Sequence, residues 1–183
     1  MAMVLTLGTA WLVACGHMGA PDKLTLSEAE LQDLLQRRFP LEQRLLEVFE
    51  VRATAPRLQL LPEVKRLQVV LDLQARERIL ASVYNGRLDF DAALRWEAAD
   101  QTVRLDQVRV QNFVLDTPTP PGPRRTAAER VAAALAQRVL EGLVLYRLPA
   151  EKLARLDRAG VQPAALVVTR SGLEITFAPK AKP

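Results

Sequence analysis

One histidine and one cysteine occur in 183 residues, and both, His17 and Cys15, stand near the N-terminus ahead of everything that reads as folded. Ser-His and Cys-His nucleophilic pairs and histidine-rich metal sites are thereby excluded from the domain. One thiol also rules out a disulfide within the chain. None of the 8 glycines falls in a GxGxxG or GxxxxGK spacing, so phosphate-cradling loops are missing and no cofactor is expected. Aromatic residues make only 5% of a chain that is 49% hydrophobic, which leaves an aliphatic core. Lysine is scarce as well: 5 Lys stand beside 20 Arg, for a formal charge of +4. These bases are interspersed with acids instead of forming the stripe of a nucleic-acid module, so no nucleic-acid partner is expected.

Charge is also missing from Met1 to Ala14, where Val4, Leu5, Leu7, Trp11, Leu12 and Val13 make a short apolar stretch. A bilayer span needs about 20 such residues. The stretch ends in Leu12-Val13-Ala14-Cys15, which resembles the lipobox of bacterial lipoproteins: small Ala14 suits the peptidase, and the thiol can take a diacylglycerol. Residues 1–14 are then a signal peptide, Cys15 the lipidated N-terminus and 15–22 a tether. The competing reading is a buried N-terminal segment with a core cysteine. An anchored protein would sit in the cell envelope facing the periplasm, and Gly16 after the cysteine points, by the enteric sorting rule, to the outer membrane.

Residues 23–179 read as one α+β domain, with 180–183 a disordered tail. Lys23 to Leu26 is a brief strand. Ser27 and Glu30 form a capping box for a helix over about 27–39, carrying Leu31, Leu34 and Leu35. Leu41 to Ala55 fits either a helix end followed by a strand or two short strands; a strand from about 47 is preferred. Alternation of period two then marks Leu67-Val69-Leu71-Leu73-Ala75 and Leu88-Phe90-Ala92-Leu94-Trp96, with Asn85-Gly86 as a turn before the second run. A third run, Val103-Leu105, slips phase at Gln107 and continues in Val108 and Val110, as a β-bulge would produce. Such strands make a strongly curved antiparallel sheet, ended by the proline-rich Thr117 to Pro123. Alanine-rich sequence from Thr126 to Tyr146 predicts a long helix, with Val131, Leu135, Val139, Leu143 and Tyr146 on one stripe. A short helix over about 149–158 and a hairpin around Ser171-Gly172 complete the chain.

Chemistry is sparse. Asp89 and Asp91 share the polar strand face with Arg87 and Arg95, an arrangement read as a charge-balanced solvated surface before an acid/base pair. Ser27 is read as a cap, not a nucleophile. No catalytic residue and no metal site are assigned. The apolar faces are less bland: Leu71, Leu73, Phe90, Leu94, Trp96 and Val110 on the sheet oppose Val131, Leu135, Val139 and Leu143 on the helix. They can close as a packed core or enclose a cavity for a hydrophobic ligand.

The lipobox at Cys15, the strand and capped helix Leu24-Thr25-Leu26-Ser27-Glu28-Ala29-Glu30, the sheet exit Val114-Leu115-Asp116-Thr117 and the late Val144-Leu145-Tyr146-Arg147-Leu148 resemble the YceB-like lipoproteins. Those in turn are similar to the tubular lipid-binding superfamily. The resemblance implies a long helix lying along a curved sheet, an acyl-chain channel between them, and no catalytic residues. It implies a monomer attached to the membrane by its lipid, binding lipid or another long hydrophobic molecule, with transfer as an extension of that role. The alternative function is an envelope scaffold or interaction lipoprotein with a solid core.

Overall fold

A computed structural model describes residues 23–45, 49–79, 82–116 and 122–180. The segments read as signal peptide and tether, with Cys15 and His17, and most of the proline-rich loop therefore lie outside the described residues. Strand β1 (Lys23–Ser27) leads into helix α1 (Glu28–Gln36), and two long hairpins follow: β2 (Leu41–Leu45) with β3 (Phe49–Leu61), then β4 (Arg66–Glu77) with β5 (Val83–Glu97). Strand β6 (Thr102–Asp116), helix α2 (Pro123–Leu140), strand β7 (Val144–Arg147), helix α3 (Ala150–Arg158) and the hairpin β8 (Val161–Val168) with β9 (Gly172–Pro179) complete the order. The strands form a strongly curved six-stranded antiparallel sheet, β2-β3-β4-β5-β6-β7, and a three-stranded one, β1-β9-β8.

The start of α1 follows its sequence. The Ser27 hydroxyl accepts from the Glu30 amide at 3.2 Å, and the Ser27 amide and hydroxyl both donate to the Glu30 carboxylate at 2.8 Å. Those bonds hold the Glu30 carboxyl below its ordinary value. Their contribution is complete above the ordinary glutamate pKa and disappears as acid carries the pH down through the lowered one.

Curvature comes from bulges, and side chains from the helices satisfy the backbone that the bulges leave unpaired. In β3 the register shifts between Thr54 and Arg57, with Ala55 at φ 48°. There the Gln32 amide of α1 donates to the Pro56 carbonyl at 2.7 Å and accepts from the Leu58 amide at 2.8 Å. Gln32→Ala abandons both groups in a half-buried position, so urea unfolding should show a loss of about 1–3 kcal/mol; Gln32→Glu, which keeps only the acceptor, should fall between. In β6 the shift lies between the partners of Asp91 and Ala93, with Gln107 at φ 50°. Here Glu141, just past α2, accepts from the Gln107 and Val108 amides at 2.9 Å each.

Of the two readings of Leu41 to Ala55, the structure takes two strands: β2 begins at Leu41, opposite Ala53, and the strand expected from about 47 is β3, from Phe49. Three sequence expectations change. Asn85-Gly86 is no turn but lies inside β5, where Gly86 stands between Leu73 and Leu115; a Cβ there would come within 2.4 Å of the Val114 carbonyl oxygen. The long helix stops at Leu140, because Glu141 is extended and Gly142 takes φ 74°. Leu143 and Tyr146 therefore leave the helical stripe; the Leu143 carbonyl accepts from Leu105, and Tyr146 pairs with Val103. Lys180, assigned to the tail, donates its backbone amide to Gly160 at 2.8 Å and its ammonium to Asp157 at 2.7 Å.

The core is continuous and aliphatic, as the thin aromatic content requires. Leu31 and Leu35 of α1, Leu67 and Val69 of β4, Phe90 and Ala92 of β5, Val103, Leu105 and Val108 of β6, and Leu173 and Ile175 of β9 are all buried in one cluster. It occupies one end of the large sheet's apolar face. The other end is not filled.

Candidate functional site

Along β4 the apolar face changes its task without changing its period. Leu67 and Val69 are sealed in the core, whereas Leu71, Leu73 and Ala75 on the same face look across a cavity of about 740 Å³ towards α2. The two readings of this face, packed core and hollow, thus hold at successive positions of one strand.

Strand pairing arranges the sheet wall in rows. The outermost joins Gln43, Val51, Ala75 and Tyr84; the next joins Leu41, Ala53, Leu73, Gly86 and Leu115; the third joins Leu71, Leu88 and Phe113. Below it Val69, Phe90 and Val110 form a row that belongs to the solid core, with Phe90 2% exposed. Gly86 adds no side chain to the second row, and the Val114 carbonyl oxygen and the Leu115 side chain lie where its Cβ would be. The opposite wall is a stripe of α2 at helical spacing: Ala127, Ala128, Val131, Ala132, Leu135, Ala136, Val139 and Leu140. Half of these are alanines. A methyl group at each such position does not reach across to the sheet, so the helix roofs the space instead of filling it. Val131 lines the cavity while remaining 62% exposed, so the space opens to solvent near the first half of α2.

Among the described residues, only Gln43 and Tyr84 bring polar side-chain atoms to the lining, and both stand in the outermost row. Such a wall offers area without directed hydrogen bonds. If it were closed and empty, the usual penalty per unit of cavity volume would put the cost at roughly 18 kcal/mol, above the stability of a whole domain. Water or an apolar guest must occupy it.

Five of the ten side chains chosen from the sequence meet here: Leu71, Leu73, Val131, Leu135 and Val139. Phe90, Leu94, Trp96 and Val110 instead belong to the core or pack against it, and Leu143 borders a smaller adjoining pocket. Phe113 and Leu115 were not anticipated, because β6 has a second bulge: Asp89 faces Asn112 while Phe90 faces Val110, so Gln111 is extra. The three-residue step from Val110 to Phe113 is the sequence trace of that slip.

The opposite face of the sheet holds a buried polar cluster. Asp91 is 7% exposed, not solvated as the strand pattern suggested. Its carboxylate takes hydrogen bonds from the Arg66 guanidinium and the Gln111 amide, and Arg66 also donates to the Asp91 and Gln107 carbonyls. The two bulges bring Gln107 and Gln111 over this pair, a closure that strict alternation does not reveal. Neighbouring Asp89 is half-buried and accepts from Gln68 at 2.9 and 3.1 Å. Further along, hydrogen bonds from Arg57 to Asp72 at 3.2 and 3.4 Å hold that carboxyl below its ordinary value. These contacts brace the sheet. Among the described residues no group of three or more histidine, cysteine or acidic side chains could hold a metal ion, and no helix is long and apolar enough to cross a membrane.

No family model matches the chain, and no curated protein does. Among solved structures, the crystal structure of a lipopolysaccharide binding protein superposes with a TM-score of 0.36 at 7% identity, covering 87% of this chain and 41% of that one. The chain thus spans less than half the length of that protein. A likeness at this level transfers neither family nor ligand.

Proposed function

We propose that this protein binds a long apolar molecule, an acyl chain or a lipid, in the cavity between the large sheet and α2, and that it does so without catalysing a reaction. The observation that carries this is the lining: about 740 Å³ walled by aliphatic side chains and alanines, within the size range of ligand sites and far larger than a packing defect. A saturated chain gains about 0.8 kcal/mol per buried methylene. An alanine-roofed slot takes such a chain without demanding polar partners along its length.

The finer parts of the proposal extend from the N-terminal sequence. Cys15 carries a diacylglycerol, the first 14 residues are removed, and the domain faces the periplasm from the outer membrane as a monomer, in the manner of the YceB-like lipoproteins that several segments resemble. On this reading the cavity receives, and passes on, lipid near the membrane to which the protein is tied. The anchor has its own test: labelled palmitate is incorporated by the native protein and lost in Cys15→Ser, and label retained in the variant contradicts it.

Binding is tested on the soluble domain. Solvent extraction and mass spectrometry should recover a lipid, and delipidated protein should take up a fluorescent fatty acid at about one per chain. Recovery of no lipid together with no uptake refutes the proposal and leaves a scaffold role.

A further inference from the structure

We infer that the cavity takes its guest with one polar end held outside it, and that this end is an anionic oxygen head group, carboxylate or phosphate, bound at Arg38. This rests on the cavity binding an acyl chain. A second pocket of about 420 Å³ adjoins the first, and Leu41 and Val139 line both. Its own walls are different: Arg38 and Phe39 at the end of α1, and Glu141, Gly142, Leu143 and Val144 after α2. An apolar chamber therefore continues into one with charged groups.

The two charges there are not equivalent. Both carboxylate oxygens of Glu141 are engaged by the Gln107 and Val108 amides at 2.9 Å, so its charge is committed to the β6 bulge. Among the described residues the Arg38 guanidinium has neither an ion pair nor a hydrogen bond, although adjacent Arg37 is paired with Asp33 at 2.7 Å. Arg38 is also exposed, so its charge is available to an incoming group. A guanidinium presents a planar fork of donors suited to two oxygens of one carboxylate or phosphate. A single-chain amphiphile whose tail passes Leu41 and Val139 into the large cavity would set its head beside that fork.

The test uses palmitic acid, a lysophosphatidic acid of the same chain length, and 1-hexadecanol as the uncharged probe, each titrated into delipidated wild type and Arg38→Gln. Because the Arg38 side chain contacts no described polar group, the variant should keep the wild-type thermal transition. Arg38→Gln should weaken one or both anionic probes about tenfold and leave hexadecanol unchanged. Selective loss for one anion identifies carboxylate or phosphate as the head recognised. Raising the salt concentration should weaken the same anion and not the alcohol. If all three bind the variant as they bind wild type, or all three weaken together, Arg38 is not a head-group site, while tail binding stands. If none binds wild type, the cavity reading fails and takes this one with it.

Discussion

Asp91→Ala lowers the stability of the domain by about 3–5 kcal/mol. Arg66 is 6% exposed, and removing its carboxylate partner leaves an uncompensated buried cation facing the Asp91 and Gln107 carbonyls. The same substitution frees the Gln111 amide, which Asp91 also accepts. For a chain of this size each kcal/mol moves the thermal midpoint by about 2–4 °C, so a fall of roughly 6–20 °C is expected in a circular-dichroism melt. Asp89→Ala, two residues away and bonded only to Gln68 among described side chains, should cost about 1 kcal/mol. Equal losses for the two would contradict the assignment. Arg66→Met combined with Asp91→Leu should recover much of the stability, since burying neither charge avoids desolvating both.

Ala132→Trp weakens acyl-chain binding roughly 100-fold while leaving the fold intact. Ala132 is on the α2 stripe facing the sheet, and an indole there projects into open space instead of into packed atoms. Displacing three or four methylenes of a bound chain forfeits about 3 kcal/mol, or roughly 100-fold in affinity. Filling apolar space should also hold or raise the unfolding midpoint of the ligand-free protein. Alanine at 133, one position round the helix and not part of the lining, supplies the control: Ala133→Trp should bind as wild type does. An Ala132→Trp protein that melts normally and still binds with full affinity would place the ligand elsewhere.

How much of this was legible in the sequence depended on whether spacing or side-chain size carried the information. Period two along Leu67 to Ala75 gave the strand, its apolar face and the strand's length. The capping box at Ser27 and Glu30 gave the start of α1, and the slip at Gln107 gave one bulge. The cavity itself was less visible, because a hollow is made by what is missing. Ala127, Ala128, Ala132 and Ala136 read as helix formers, yet their short side chains leave the space between α2 and the sheet unfilled. Phe90 and Trp96 were chosen as lining because alternation puts them on the apolar face, and alternation does not say which end of that face is filled. Asp91 looked solvated because alternation reports which face a residue is on; two bulges and Arg66 decide whether that face is covered.

The claim that one sheet face is core at one end and ligand cavity at the other is most directly tested by methyl NMR with a spin-labelled fatty acid. Leu71, Leu73, Leu115 and Val139 should broaden on binding, while Leu173, Ile175 and Val103, fully buried in the core, should stay sharp. Broadening confined to exposed Val64 and Ile79, or no broadening at saturating probe, would contradict the account.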